Sequence, residues 1–370
     1  MIKILFMIHD LSVGGAEKVL VNLLNNMDRE KFDITLIALF GGGVNEQFLK
    51  KDINYRIIFN RTFPGNSKIM KLMSPKQLHR LFIKGKYDIE VAFLEGPVAR
   101  IIGGCPYKDT KLVSWIHVEQ HTKMTAASSF RSYRESVELF KKFDNIICVS
   151  EFVKNDFKAI YPMINKLEVL YNTNEVKQIL DQEKQNVEAG LFRNDEFNLI
   201  GVGKIVPIKG FDKLARIHKR LREEGYSVHS YILGSGSDQE KIQKYLEKYH
   251  MADTFTFLGY QTNPYKYISK SDLFVCASKA EGFSTAATEA LIVGTPICTV
   301  DVSGMKEMLG NNNEYGIVTD NTEEALYEGI KALIDHPERL RHYRLKAKER
   351  GRFFSTENTV KAVEDMLLNL

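Results

Sequence analysis

The stretch DLFVCASKAEGFSTAATEALIVGTPICTV (272–300) holds two short apolar runs, 272–278 and 295–300, with a loop and a helical pattern between them. Such an order reads as one strand, a helix leading back, and the next strand of a parallel sheet. The Gly-Phe-Ser-Thr elbow at 282–285 then sits at the carboxyl edge of that sheet, where open α/β sheets bind ligands. Glu281 and Glu289 bracket the elbow eight positions apart. With the helix starting at Ser284 or Thr285, Glu281 lies in the loop and Glu289 about one turn inside. The two carboxylates would therefore face successive parts of one elongated ligand rather than a single metal ion.

Outward from this unit the same alternation continues. In the first half the strand candidates are KILFMI, DITLIAL, YRIIF, IEVAF, KLVSWI, NIICVS and LEVL. In the second they are FNLIGV, SVHSYIL, TFTFLG, DLFVCAS, TPICTV and YGIVT. Strands alternating with helical segments build parallel, doubly wound sheets. The polar segment 171–196 lacks sheet-like alternation and holds the domain junction, giving domains 1–175 and 176–354. The cleft between two such domains is the default ligand site. The tail FSTENTVKAVEDMLLNL (354–370) places Val360, Val363, Leu367 and Leu370 at helical spacing behind an N-cap-like Ser355. No solenoid-length repeat, low-complexity segment or heptad array is present.

Composition excludes several classes. With 44% apolar and 26% charged residues, the chain has the balance of a folded globular protein. The opening run ILFMI is far too short to span a membrane and is interrupted at once by His9 and Asp10, so a cytoplasmic protein is expected. Cys105, Cys148, Cys276 and Cys298 are scattered without metal-ligand spacing and read as reduced residues, three of them in strands. Residues 1–175 carry 25 Lys or Arg against 19 Asp or Glu, whereas residues 176–370 carry 26 against 28. Much of the first-half excess lies in 53–87, with eight basic and no acidic residues. This points to an anionic surface partner, and the interleaved Ile69, Met70, Leu72, Met73, Leu78, Leu81, Phe82 and Ile83 suggest a membrane surface rather than a nucleic acid.

Three loops carry candidate chemistry. Gly14 and Gly15 follow the first strand and open a helix whose N–H groups suit an anion. They do not form G-x-G-x-x-G, which argues against a nicotinamide enzyme. Lys204 and Lys209 flank the exit of a second strand, where two ammonium groups would neutralise a diphosphate. Gly234, Ser235 and Gly236 make another strand-to-helix loop with room for a ligand. The amides of Phe283, Ser284 and Thr285 point from a positive helix end toward a phosphate. No Asp-x-Asp occurs anywhere in the chain, so no metal is expected.

Taken together, VGGAE, VGKIVPIKG, LGSGSD, EGFSTAATEAL and GTPICTVDVSGMKEML resemble, in order and spacing, the motifs of the retaining glycosyltransferases of family 4, with E-x7-E the most specific. The resemblance covers essentially the whole chain. It implies an α/β fold of GT-B type, two Rossmann-like domains facing across a cleft, the acceptor on the first and the sugar nucleotide on the second. The final helix, 355–370, would pack back on the first domain. Glu281 resembles the carboxylate that contacts the transferred sugar, Glu289 the one that holds the ribose, and His117 a histidine near the reacting sugar. Lys204 and Lys209 resemble the basic pair on the diphosphate, with Lys204 where most members have Arg. Gly14, Gly15, Gly203, Gly234, Gly282, Phe283, Ser284 and Thr285 would line the nucleotide sugar. The stretch VLYNTNE (169–175) departs from the family's Asn-Gly pattern at Thr173.

The function so implied is metal-independent transfer of a hexose, with retention, from a nucleotide sugar, UDP-linked by expectation, to a lipid-linked or surface glycan. The donor is a substrate and no cofactor is expected. A sugar-nucleotide 2-epimerase on the same fold, or a binding module without turnover, are the alternatives.

Overall fold

The computed structural model describes residues 1–63, 65–193 and 195–370, the side chain of Ser67 excepted. The chain forms two compact units, one from Met1–Asn174 with Thr356–Leu370 and one from Glu175–Ser355.

The first unit is built on a seven-stranded sheet of β1 (Ile2–Ile8), β2 (Phe32–Phe40), β3 (Asn54–Phe59), β4 (Ile89–Ala92), β5 (Lys111–Ile116), β6 (Asn145–Cys148) and β7 (Leu167–Val169). Their order is β3-β2-β1-β4-β5-β6-β7, and every pairing is parallel. The central strand β1 places Leu5 opposite Thr35 and Phe6 opposite Val91. Ile4 to Ile8 are all fully buried, because helices cover both faces of a parallel sheet and leave no alternation of apolar and polar residues. At the sheet edge β3 is mostly half-exposed and carries Arg56, a charge that discourages pairing with another chain.

The second unit carries β8 (Phe197–Val202), β9 (Val228–Leu233), β10 (Phe255–Gly259), β11 (Leu273–Cys276), β12 (Ile297–Val300) and β13 (Ile317–Thr319). Their order is β10-β9-β8-β11-β12-β13, again parallel throughout. Strand order reverses between β8 and β11, so their carboxyl ends open a crevice at a topological switch point. Within the segment read from sequence as a polar junction, a helix forms over Val176–Gln182 and buries Ile179. Its last carbonyl, on Gln182, accepts a hydrogen bond from Asn263.

The final helix, Thr356–Leu368, belongs to the first unit and buries Val360, Val363, Met366 and Leu367. Glu364 on this helix accepts from the Asp28 amide at 2.7 Å and from Lys31 at 2.9 Å, and Thr356 donates to the Asn174 carbonyl at 2.6 Å.

The basic stretch 53–87 folds as β3 and two short helices, Asn66–Leu72 and Pro75–Phe82. The structure corrects its expected apolar face. Met70, Leu78, Phe82 and Ile83 are core residues, while Ile69, Leu72 and Leu81 are exposed. Four successive carbonyls at the end of the first helix are each bound by a guanidinium. Arg100 donates to Met70 and Met73, and Arg131 to Lys71 and Leu72. Glu135 holds both arginines, accepting from Arg100 Nε and Nη2 and from the Arg131 amide. Among the described residues no helix is long and apolar enough to cross a membrane.

Candidate active site

Two loops meet at the switch point of the second sheet. After β8 the chain passes Gly203 and Lys204, makes a 3-10 turn over Pro207–Lys209, and enters the helix Phe211–Glu223 through Gly210. Gly210 has φ of +67°, and a Cβ there would lie 2.1 Å from the Ala277 carbonyl oxygen, so only glycine lets the loop after β8 press on the loop after β11. The Lys279 amide donates to the Ile208 carbonyl at 2.7 Å and stitches the two loops together.

This contact brings Lys209 to Glu281. The Lys209 ammonium lies 2.6 Å from Glu281 Oε1, and the Ser278 hydroxyl donates to the same oxygen at 2.6 Å. The carboxylate is largely shielded and the lysine about a quarter exposed. Burial, and then the Glu281 charge, push the neighbouring Cys276 thiol up, so it stays protonated. Lys204, by contrast, is exposed and has no ion-pair partner among the described residues. The two ammonium groups thus differ in setting. One is committed to a carboxylate before any ligand arrives, and the other is free in solvent.

Glu289 lies on the helix Thr285–Val293 and is almost wholly buried, with the Tyr265 hydroxyl 3.4 Å from its Oε1. Ser284 is the N-cap, its side chain accepting from the Ala287 amide, and its carbonyl accepts from the Thr288 hydroxyl. The opening amides of this helix, at Thr285 and Ala286, have no carbonyl one turn earlier to bond. Phe283 turns its ring into the core against Phe354, centroids 5.6 Å apart, so only its backbone faces the loop. Gly282 is buried beside it, its carbonyl close to Gly304.

A Cβ on Gly234 would lie 1.9 Å from the Gly203 carbonyl oxygen, and one on Gly236 2.2 Å from that of Ile205. These glycines are required by the close approach of the loop after β8.

In the first unit, His117 follows β5 directly. Its amide donates to Glu95 Oε2 at 3.0 Å, its ring packs 4.9 Å from that of Phe93, and its Nε2 is buried with no hydrogen-bond partner among the described residues. Burial drops its pKa to about 3, so the imidazole is neutral near pH 7. Burial raises the carboxyl of Glu95 as well. A buried ring nitrogen without a partner calls for an explanation, and a bound ligand atom supplies one.

Gly14 caps the helix Gly15–Asn26 with φ of −170°, which any residue adopts, and Gly15 has no positive φ. A Cβ on Gly14 would meet the Glu17 carboxylate, a side chain rather than backbone. Close backbone approach occurs instead at Gly43, whose Cβ would lie 2.1 Å from the Leu11 carbonyl carbon. Sequence reasoning passed over GGGVNEQ (41–47), although three glycines directly after β2 signal such a contact. Asn45 donates to the Ser12 carbonyl at 2.6 Å and completes the support of this loop. His9, bonded to Asp10 at 2.7 Å, holds the Asp10 carboxyl well below the usual carboxylate range. His9, Asp10 and Glu95 are polar residues at this edge that sequence reading also missed.

Two doubly wound parallel sheets, with a lysine–carboxylate pair and a capped helix end at one switch point, define a two-domain Rossmann-like protein with a nucleotide-type ligand edge. Two family models match the chain, Glycosyltransferase Family 4 over residues 13–174 and Glycosyl transferases group 1 over residues 182–350. The chain belongs to the glycosyltransferases whose two halves these models describe, and its fold is of the GT-B type.

Among similar proteins is a Campylobacter jejuni N-acetylgalactosamine-N,N'-diacetylbacillosaminyl-diphospho-undecaprenol 4-alpha-N-acetylgalactosaminyltransferase. It is 26% identical, over 99% of this chain and 98% of that one. The Rhizobium meliloti lipopolysaccharide core biosynthesis glycosyltransferase LpsD is 20% identical over 89% and 88% of the two chains. The crystal structure of Anabaena HepE in complex with UDP and glucose superposes with a TM-score of 0.81 at 17% identity, covering all of both chains.

Proposed function

We propose that this glycosyltransferase moves a hexose from a UDP-linked donor, with retention and without a divalent metal, to a lipid-linked or surface glycan in bacterial polysaccharide assembly. The observation that carries the reading is the Lys209–Ser278–Glu281 cluster at the switch point of the second sheet. Loss of a sugar from a nucleotide diphosphate needs charge stabilised on the departing phosphate and tolerated at the sugar. Lys209 and the exposed Lys204 serve the phosphate, with the N–H groups of the helix behind Ser284. Glu281 contacts the reacting sugar, and Glu289 takes the ribose hydroxyls. His117, neutral and without a partner at Nε2 among the described residues, exchanges a hydrogen bond with the transferred sugar. Glu281 Oε1 already accepts from two donors, which lowers its nucleophilicity and favours same-face attack over a covalent sugar–enzyme step.

The acceptor side is assigned to the first unit. The relatives named for undecaprenol-linked and lipopolysaccharide substrates support a lipid-linked acceptor. Exposed Ile69 and Leu72, interleaved with Lys68, Lys71, Lys76 and Arg80, support peripheral docking on the anionic inner face of the plasma membrane. The test of turnover is label transfer from a panel of radiolabelled nucleotide sugars into a lipid extract, with chelator present. Incorporation from a UDP-hexose supports the reading. Conversion of the donor to an epimer, with no incorporation, would replace it with the epimerase.

A further inference from the structure

Apart from the loops at the carboxyl edges, His79, Glu90 and Cys105 bring three different ligand atoms within 4.8 Å of one another. His79 stands on the helix Pro75–Phe82, Glu90 is the second residue of β4, and Cys105 follows the helix Pro97–Ile102. Their meeting is built into the chain. A Cβ on Gly104 would lie 2.1 Å from the Pro75 carbonyl oxygen, so this glycine lets the loop carrying Cys105 press on the start of the helix carrying His79.

Glu90 is fully buried and His79 almost so, with His79 Nε2 2.8 Å from Glu90 Oε2. The second carboxylate oxygen, Oε1, is buried and has no hydrogen-bond partner among the described residues. Buried carboxylate oxygens are normally paired, and the group that faces this carboxylate besides His79 is the Cys105 thiol. Cys105 is half-buried, the other three cysteines being buried, and its thiol is pushed up to about 11 by burial and then by the Glu90 charge. Imidazole, carboxylate and thiol together are not the all-oxygen set that Mg²⁺ or Ca²⁺ takes. They match Zn²⁺, which accepts nitrogen, oxygen and sulfur ligands in four-coordinate sites.

We propose that His79 Nε2, a Glu90 carboxylate oxygen and Cys105 Sγ form a binding site for a thiophilic divalent cation of the Zn²⁺ class, with the fourth position open to water beside Cys105. On binding, the Cys105 thiol releases its proton to solvent, and the proton that His79 Nε2 shares with Glu90 is displaced to Nδ1, so that the neutral imidazole presents its Nε2 lone pair to the ion. The ion ties one helix, one strand and one loop at the amino edge of the first sheet. It takes no part in sugar transfer.

The test uses the full chain, stripped with a chelator and titrated with Co²⁺. A thiolate-to-cobalt charge-transfer band should rise to saturation at one ion per chain, vanish on adding Zn²⁺, and persist on adding Mg²⁺. Cys105→Ser, at a half-exposed position, should abolish the band and leave nucleotide binding unchanged. Glu90→Gln should weaken Co²⁺ binding by about tenfold or more. If Glu90→Gln does not fold, the Cys105→Ser comparison decides. Absence of the band in the wild type, or the same band in Cys105→Ser, overturns the proposal.

Discussion

Lys209 and Glu281 stand 72 positions apart in the chain and 2.6 Å apart in space. Each was legible in sequence as a charged residue at a strand exit, but their pairing was not. It depends on Gly210 admitting the Ala277 carbonyl, a contact between loops distant in sequence. The pair changes what a substitution does. Lys209→Ala removes the proposed phosphate contact and also leaves Glu281 without its counter-charge, so turnover at saturating donor should fall by on the order of 2–4 kcal/mol in transition-state stabilisation. Wild-type turnover in that variant would remove Lys209 from the mechanism. Glu281→Gln should keep nucleotide affinity and lose transfer, whereas Glu289→Ala should weaken free nucleotide itself, and calorimetry separates the two. His117 supplies a pH signature. Unfolded chains take up a proton near pH 6.5 while the buried ring resists until about pH 3. The stability tied to its neutral form is therefore complete above pH 6.5 and falls as pH drops toward 3, by about 1.4 kcal/mol per pH unit. Urea unfolding of His117→Asn should accordingly show a shallower loss than wild type between pH 6.5 and 4, and parallel slopes would contradict the burial argument.

Among elements, the parallel strands were the most legible. The inner ones lie in continuous apolar runs buried on both faces, as Ile4 to Ile8 illustrate, whereas edge strands such as β3 are partly exposed. Short helices were less so. Asn66–Leu72 mixes a buried Met70 with an exposed Leu72, and its support comes from Arg100, Arg131 and Glu135, too distant in sequence for any local pattern to reveal. Two guanidinium groups binding four carbonyls hold an apolar tip out toward solvent, an arrangement suited to a bilayer surface. Flotation with anionic liposomes should therefore bind the protein, weaken with salt, and drop when Lys68, Lys71, Lys76 and Arg80 become Gln. Ile69→Gln with Leu72→Gln should reduce flotation without lowering the melting temperature, since both side chains are exposed. Flotation that ignores salt, or none, would return the segment to an ordinary solvated surface.

For the whole molecule, two doubly wound sheets followed from counting apolar runs. The amphipathic tail was legible as a helix, while the polar contacts that seat it, Glu364 with Asp28 and Lys31, were not. Leu367→Ala should cost the first unit about 2–5 kcal/mol, read by denaturant unfolding, because it empties a buried site under that helix. The proposed activity rests on the second unit's switch point and is tested most directly by one measurement: incorporation of radiolabelled hexose from UDP-hexose into lipid extract, with chelator present, by wild type and by Glu281→Gln side by side. The account predicts steady incorporation by the wild type and a loss of about a hundredfold or more in the variant. Equal incorporation by both proteins, or wild-type activity that returns only with added Mg²⁺ or Mn²⁺, would contradict it.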